Sequence, residues 1–148
     1  MGSRTGWREA ATAQIQGIGI FPIQGFFQSI STEQAAATRG AGVIHPVFGP
    51  AIIVKEMDVN TPILFSYAAT GKMIVEVTLD FFRYPEDLPT LQKYMTVKLQ
   101  SVQVVALSEK EESRAVSKEE IKLDFEIIKW ITPDGTERGW NVKLNKPL

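Results

Sequence analysis

A catalytic site in this chain would have to be built from few side chains, because the sequence contains one histidine and no cysteine. The missing cysteines exclude a disulfide framework, a cysteine-ligated zinc or iron–sulfur site and a thiol nucleophile. His45 lies between apolar residues rather than beside a nucleophile motif, and the sequence contains no Gly-x-Ser-x-Gly. We therefore expect His45 to have a structural role, and we expect neither a metal site nor a cofactor.

Two pairs of carboxylates are spaced so that one member could act as a general acid and the other as a general base. Glu56 precedes Asp58 by two residues, and Glu76 precedes Asp80 by four. On a β-strand such residues lie on one face, an arrangement that glycosidase chemistry could use. Pairs of this kind are equally typical of solvated strand faces. We expect the chain not to be an enzyme, and a hydrolase stays open as an alternative.

The charge balance limits the partners that the chain could bind. Lys and Arg number 16 against 17 Asp and Glu, a formal net charge of -1, so no overall field attracts nucleic acid or anionic lipid. The first residues lack the apolar run of a secretory signal peptide, and no stretch reaches the roughly 18 apolar residues of a membrane helix. We expect no nucleic-acid partner, no membrane insertion and a cytoplasmic site of synthesis.

The length indicates one domain. The chain has 148 residues, of which 44% are hydrophobic, and this leaves little room for a second core. We assign residues 1–12 to a flexible N-terminal segment that could include a cloning remnant, and residues 13–148 to a single domain. Residues 109–120 carry charges of both signs and no aromatic side chain, which predicts a solvated loop.

Alternating apolar and polar residues predict that most of the chain forms β-strands. The clearest strands cover residues 73–82 and 94–107, and the apolar phase shifts after Gln100, which predicts a bulge or corner near Ser101. In the first of these strands the apolar positions are Val75, Val77, Leu79 and Phe81. The polar positions of the two strands are Glu76, Thr78 and Asp80 in one and Thr96, Lys98 and Gln100 in the other.

Further strands and turns follow from the same patterns. We predict a hairpin of residues 13–21 and 25–31 on either side of Pro22, a surface loop at 34–42, and a strand at 51–57. Residues 120–131 read as one long strand. A Pro-Asp-Gly turn at 133–135 then joins this strand to a last one at 138–144.

One short helix interrupts the strands, at about residues 61–70. Thr61 can cap its first N–H groups, Pro62 suits the first helical position and Gly71 supplies the stop. Phe65 and Ala69 point away from the apolar stripe of this helix and form either ordinary surface or a patch for a partner. The predicted fold is therefore mainly β, an antiparallel β-barrel or two-sheet sandwich with one flanking helix.

The segment from residue 53 to residue 83 resembles the haemolysin-coregulated protein (Hcp) family. A strand carrying Lys-x-x-Asp leads into Thr-Pro-x-Leu and a single helix, and a long strand then closes near an arginine. A Lys-Trp pair before a turn adds to the resemblance. The positions that match the family pattern are Lys55, Asp58, Thr61, Pro62, Leu64, Gly71 and Trp130.

The resemblance implies a structural subunit of the bacterial type VI secretion system. Members assemble into homo-hexameric rings that stack into the inner tube, and a contracting sheath expels the tube behind a spike protein. The protein would then be made in the bacterial cytoplasm and secreted through the apparatus, with small effector proteins held in the lumen. Residues 31–46 look shorter than the family segment that contacts the next ring.

Three points stay open at the level of sequence. The lumen could be lined by the polar face of residues 76–80 or by that of residues 96–100. A tail-tube protein of a phage or contractile bacteriocin would share the architecture. A small-ligand-binding β-barrel is a further alternative, although the inward positions are Val, Leu, Ile and Phe, which would fill a small barrel.

Overall fold

Twelve β-strands and one helix form the part of the chain that the structure, a computed structural model, describes: residues 9–35, 43–85, 89–111 and 117–148. The elements are β1 (Glu9–Ile15), β2 (Gly19–Ile23), β3 (Gly25–Phe27), β4 (Ile30–Ala35), β5 (Val43–Phe48), β6 (Ala51–Glu56), α1 (Thr61–Thr70), β7 (Ile74–Arg83), β8 (Gln92–Glu111), β9 (Ser117–Asp124), β10 (Ile127–Ile131), β11 (Glu137–Asn141) and β12 (Lys146–Pro147). This confirms the predicted fold class and the position of the helix.

Two antiparallel sheets share the long strand β8. The first sheet has the strand order β12-β11-β10-β8-β7-β1-β2, and the second is β3-β6-β9 with the later part of β8. Strands β2 and β3 are consecutive and lie on either side of Gln24, whose backbone N–H donates to the carbonyl of Val54 over 2.7 Å. The chain therefore changes sheet at Gln24 and within β8, and it does so again between β6 and β7, through α1, and between β9 and β10. The two sheets form a sandwich.

Strand β8 turns from one sheet into the other at Ser101, which confirms the predicted corner. Ser101 has a φ of 55°, a left-handed conformation that side chains other than glycine seldom adopt. Before the corner β8 pairs with β7 and β10, and from Gln103 onward it pairs with β9; one pair with β7, between Ile74 and Val102, lies just past the corner. The corner shifts the alternation, so that Val97 and Leu99 on one side and Val102 and Val104 on the other are all buried.

The same corner explains an error at the start of β7. Val75, predicted to face the core, is 69% exposed, whereas Ile74 is buried. The register pairs Ile74 with Val102 and Glu76 with Gln100, so residue 75 lies opposite the corner, where the alternation changes phase. Beyond it, Val77 and Leu79 face the core as predicted.

The hydrophobic core lies between the sheets. Each fully buried Val, Leu or Ile side chain contributes roughly 1.5–3 kcal/mol to folding, and α1 closes one end of this core with Leu64. The first sheet supplies Ala13, Ile15, Val77, Leu79, Val97 and Leu99, and the second supplies Ala51, Ile53, Val104, Ile121 and Leu123.

The N-terminal hairpin lies earlier in the chain than predicted. Its strands are β1 and β2, and its turn falls within the segment that the pattern assigned to a single strand. Gly17, with a φ of 90°, allows this turn, while Pro22 lies within β2 and does not interrupt it. Residues 9–12, assigned to a flexible segment, belong to β1 because that strand pairs with both β2 and β7. Residues 1–8 lie outside the described residues.

Two predictions for the second half of the chain are also wrong. The strand predicted at 120–131 is divided into β9 and β10, which pair with different parts of β8 on either side of its corner. The solvated loop predicted at 109–120 is largely strand, since β8 continues to Glu111 and β9 begins at Ser117. Residues 112–116 are not among those described.

Strands β4 and β5 form a separate two-stranded sheet. The ring of Phe48 in β5 stacks on Trp140 of β11, with centroids 6.3 Å apart, and this contact attaches the hairpin to the first sheet. His45 lies in β5 opposite Glu33. The loop predicted at 34–42 falls mostly outside the described residues, apart from residues 34 and 35, which belong to β4.

Candidate functional site

A buried ion pair joins the second sheet to the segment that leads into α1. Lys55 in β6 and Glu119 in β9 are direct partners in the sheet register, and neither side chain is exposed. Lys55 Nζ lies 2.5 Å from Glu119 Oε2 and 2.7 Å from Asp58 Oδ1. It also donates to the carbonyl of Glu56 over 3.0 Å, so its three protons have three oxygen acceptors.

Thr61 completes the cluster, although not as the predicted helix cap. Its hydroxyl donates to Glu119 Oε2 over 2.9 Å and accepts the backbone N–H of Asp58 over 3.0 Å. The N-cap is Asn60, which makes no side-chain capping hydrogen bond and donates its own backbone N–H to Asp58 Oδ1 over 2.9 Å. With the spacing Lys-x-x-Asp-x-x-Thr, one turn of the chain therefore surrounds the buried ammonium group of the lysine. We call Lys55, Asp58, Thr61 and Glu119 the lysine cluster.

The remaining matched positions extend this arrangement through α1. Pro62 lies in the first turn and Leu64 is buried in the core. Gly71 ends the helix with a φ of 69° and donates its N–H to the carbonyl of Tyr67 over 2.9 Å, as the sequence predicts. Trp130 is not part of the cluster, since it lies in β10 opposite Val97.

Sequence reasoning missed Glu119, because it lies in the segment assigned to a solvated loop. The alternating sequence pattern nevertheless contained a signal. Glu119, Ile121 and Leu123 occupy every second position and so lie on one face of β9, and all three are buried. Its second oxygen, Oε1, is buried and has no hydrogen-bond partner among the described residues. Glu119 therefore depends on Lys55 and Thr61 for the stabilisation of its buried charge.

The cluster also controls the protonation of Asp58. Partial burial alone would raise the pKa of this carboxyl group. The hydrogen bond and positive charge of Lys55, together with the backbone N–H of Asn60, outweigh burial and hold the pKa below its ordinary value of 3.8. Asp58 is thus held as a carboxylate, and its role is structural because its Oδ1 is already engaged by Lys55.

The two predicted polar faces form a single surface. Strands β7 and β8 are neighbours, and their register pairs Glu76 with Gln100, Thr78 with Lys98 and Asp80 with Thr96. All six side chains are half-buried and lie on the side of the first sheet that faces away from the core. We call this surface the polar face.

Hydrogen bonds between the strands hold the side chains of the polar face in place. Gln100 donates to Glu76 Oε2 over 3.0 Å, and Thr96 donates to Asp80 Oδ1 over 2.8 Å. The face continues to either side, since Gln14 of β1 pairs with Thr78 and Lys129 of β10 pairs with Lys98. Cross-strand contacts of this kind stabilise the arrangement of side chains on the polar face.

This geometry does not suit acid–base catalysis. Glu76 and Asp80 are four residues apart on one strand, about 13 Å between Cα atoms, farther than the roughly 5–9.5 Å between the carboxyl groups of glycosidases. Among the described residues, no three or more His, Asp or Glu side chains are grouped to hold a metal ion. No described helix is long and apolar enough to cross a membrane.

Comparisons with known proteins agree on one family. Residues 17–131 match the model of the family described as type VI secretion system effector, Hcp. The structure is similar to Hcp1 from Salmonella typhimurium, with 18% identity, a TM-score of 0.77, and coverage of 95% of this chain and 99% of that one. It is also similar to the secreted protein Hcp3 from Pseudomonas aeruginosa, with 16% identity, a TM-score of 0.68, and coverage of 90% and 96%. No curated protein matches the sequence.

Breaking the buried pair should be costly, whereas removing both charges should not. Lys55→Met leaves the Glu119 carboxylate buried without its cation, and we expect the free energy of unfolding to fall by about 3–5 kcal/mol. Glu119→Leu should have a similar effect. The double variant should be more stable than either single variant, because neither charge of the pair is then left buried without its partner. Urea denaturation of wild type, the two single variants and the double variant measures the coupling energy between Lys55 and Glu119.

The control for this cycle is the pair of Lys93, which is exposed, and Asp80, which is half-buried, with charged atoms 3.5 Å apart. Lys93→Met should change the free energy of unfolding by about 1 kcal/mol or less. Simple additivity of Lys55→Met and Glu119→Leu in the double variant would contradict the role assigned to the lysine cluster.

Asp58 should make stability depend on pH in the acid range. Because its folded pKa is lowered, its contribution is complete above the unfolded value of 3.8 and is lost as the pH falls through the folded pKa. We expect wild type to exceed Asp58→Asn in urea midpoint at pH 7, and the difference to narrow as the pH falls toward about 3. Asp124→Asn, which changes an exposed carboxylate of β9, is the control. A difference that stays constant over this range would disprove the assignment.

Proposed function

The chain belongs to the Hcp family of type VI secretion system effectors, and from this membership we propose that it is a structural subunit of the inner tube of that apparatus. In this proposal six copies form a ring, the rings stack, and sheath contraction expels the stack together with its spike. The observation that carries the proposal is the match of residues 17–131 to the family model, which includes the lysine cluster and α1.

The subunit would act through its surfaces and without a catalytic residue or cofactor. The family, together with the similarity to the secreted protein Hcp3, supports export through the apparatus. We propose that the protein is made in the bacterial cytoplasm and that its partners are further copies of itself, sheath and spike proteins, and small effector proteins.

We propose that the polar face lines the lumen of the ring. A lumen that holds water and proteins must be polar, and the polar face provides amide, hydroxyl and charged groups across β1, β7, β8 and β10. The face carries the carboxylates of Glu76 and Asp80 together with the ammonium groups of Lys98 and Lys129, so it presents a balanced charge rather than a strong field of one sign.

The alternatives have less support. A small-ligand-binding barrel would need an open interior, whereas the side chains of Val77, Leu79, Val97 and Leu99 fill the space between the sheets with no exposed area. A tail-tube protein of a phage or contractile bacteriocin remains a second candidate because it would share this architecture. The family match favours the secretion system.

Ring formation is the first test. Sedimentation velocity should show a species of about 100 kDa, six times the 16.5 kDa of the chain. The measurement should cover a range of concentrations, since a weak ring dissociates on dilution. A protein that stays monomeric at concentrations of tens of micromolar would contradict the proposal.

The lumen assignment can be tested by distances between copies. The chain lacks cysteine, so Lys98→Cys and Lys122→Cys can each carry a single spin label. Lys98 lies on the polar face, and Lys122 is exposed on the outward side of the second sheet. In a six-membered ring the distance between neighbours equals the radius, and packed sheets are about 10 Å apart.

Double electron–electron resonance should therefore give a neighbour distance that is at least about 10 Å shorter for the Lys98→Cys label than for the Lys122→Cys label. Equal distances, or a shorter distance at Lys122→Cys, would show that the polar face does not line the lumen. Both variants must still sediment as rings.

A further inference from the structure

We propose that Trp7, in the segment that precedes β1, docks in a cavity at one end of the hydrophobic core of its own chain and closes that end. The occupant of the cavity is then a part of this protein, residues 1–8, which lie outside the described residues. The inference concerns a single chain, so it does not depend on whether copies assemble into rings.

The cavity has a volume of about 440 Å³ and lies where β2 leaves the edge of β1. Strand β2 pairs with β1 as far as Ile23, which lies opposite Ala11, and at Gln24 the chain departs for the second sheet. Among the described residues, Ala10 pairs with β7 and not with β2. The side of β1 that β2 has left therefore forms one wall of the cavity, through Ala10 and Ala11.

Three aromatic rings form the rest of the apolar lining. Phe26 of the second sheet and Phe81 of the first have ring centroids 5.7 Å apart, and Tyr94 lies 6.5 Å from Phe81. The guanidinium group of Arg83 lies 4.4 Å from the centroid of the Tyr94 ring. Distances of this size are typical of favourable aromatic and cation–π contacts. All three rings are only half-buried, so an indole placed beside them would extend the row and remove its remaining apolar area from water.

Trp7 is the one aromatic residue of the segment. Residues 1–8 otherwise consist of a methionine, small or polar residues and two arginines. Burying a tryptophan removes about 150–250 Å² of surface from water, whereas the arginines are best left in solvent. No charged side chain of the described residues lines the cavity, so docking of the indole would strip no ion of water.

The alternation of β1 favours the core side for Trp7. Ala13 and Ile15 are buried in the core, and Ala11, two residues earlier, packs against it. Because successive side chains of a strand point to opposite faces, position 7 shares this side when the chain continues in the direction of β1. Arg8, at the alternate position, then points away from the core.

The short tether favours the cavity of the same chain over that of a second copy. Trp7 precedes Ala10 by three residues, so their Cα atoms are at most about 11 Å apart. A tether of this length gives an effective concentration in the millimolar range. The other end of the core is already closed by Leu64 of α1, and it lies about 23 Å from Phe81, the length of the seven residues of β7 that separate Phe81 from Ile74.

Fluorine NMR of the whole chain tests whether Trp7 is buried. The chain contains three tryptophans, so labelling with 5-fluorotryptophan gives three resonances, and Trp7→Ser identifies the one that belongs to Trp7. A soluble nitroxide should broaden this resonance much less than that of free 5-fluorotryptophan. Since the segment docks within its own chain, the protection should not change on dilution.

A matched pair of tyrosine substitutions tests where Trp7 docks. Tyr94→Ser removes a ring that lines the cavity, and it should leave the Trp7 resonance open to broadening by the nitroxide. Tyr67→Ser makes the same change in α1, at the other end of the core. The Trp7 resonance of Tyr67→Ser should stay protected as in wild type.

Thermal unfolding gives a second measurement, which decides the question even if Tyr94→Ser fails to fold. Trp7→Ser should lower the thermal midpoint by about 4–8 °C, because truncation of a packed aromatic side chain leaves a cavity behind. Arg4→Ser, a change in the same segment, should shift the midpoint by less than about 2 °C.

Four results would overturn the proposal. They are a Trp7 resonance that is broadened as strongly as free 5-fluorotryptophan, a Trp7→Ser midpoint equal to that of wild type, protection that survives Tyr94→Ser, and protection that is lost on dilution. The last result would mean that the cavity holds the segment of a second copy. Ring formation is measured separately by sedimentation, so a failure of this proposal leaves the proposed tube function standing, and a failure of the tube function leaves this proposal standing.

Discussion

The architecture depends on one buried ammonium group. Lys55 lies on the buried side of the second sheet, where an isolated charge would be strongly unfavourable, and its position is acceptable only because Glu119, Asp58 and a backbone carbonyl surround it. These acceptors come from a neighbouring strand and from the turn that follows β6. The requirement to satisfy one ion therefore fixes where the chain leaves the second sheet and where α1 begins.

The position of α1 in turn determines what the rest of the surface can be. With Leu64 in the core, the opposite side of the helix must face outward, and there the sequence places Phe65 and Ala69 rather than charged residues. The strand that follows α1 carries the polar face. The need to pair the buried ammonium group of Lys55 thus determines the orientation of both the apolar side of α1 and the polar face, which would otherwise be independent of each other.

Much of this could be predicted from the sequence, and the limits have physical causes. The alternation in β7 and β8, the corner at Ser101 and the helix stop at Gly71 are local signals, and the structure confirms them. The role of Glu119 was missed because its partner is 64 residues away and a charged strand end looks like a solvated loop. To predict that the polar residues of β7 and β8 form one face, the register of the two strands must be known, and no local sequence pattern specifies it. The hairpin of β1 and β2 was misplaced because Gly17 fits a strand kink as well as a turn.

The twenty residues of β8 have a mechanical consequence. Because this one strand belongs to both sheets, the sheets are joined by covalent backbone as well as by side-chain packing. A load applied to one sheet therefore passes into the other along the backbone of β8, through Ser101. A protein built in this way would resist a force that pulls the two sheets apart better than two sheets held together by their core alone.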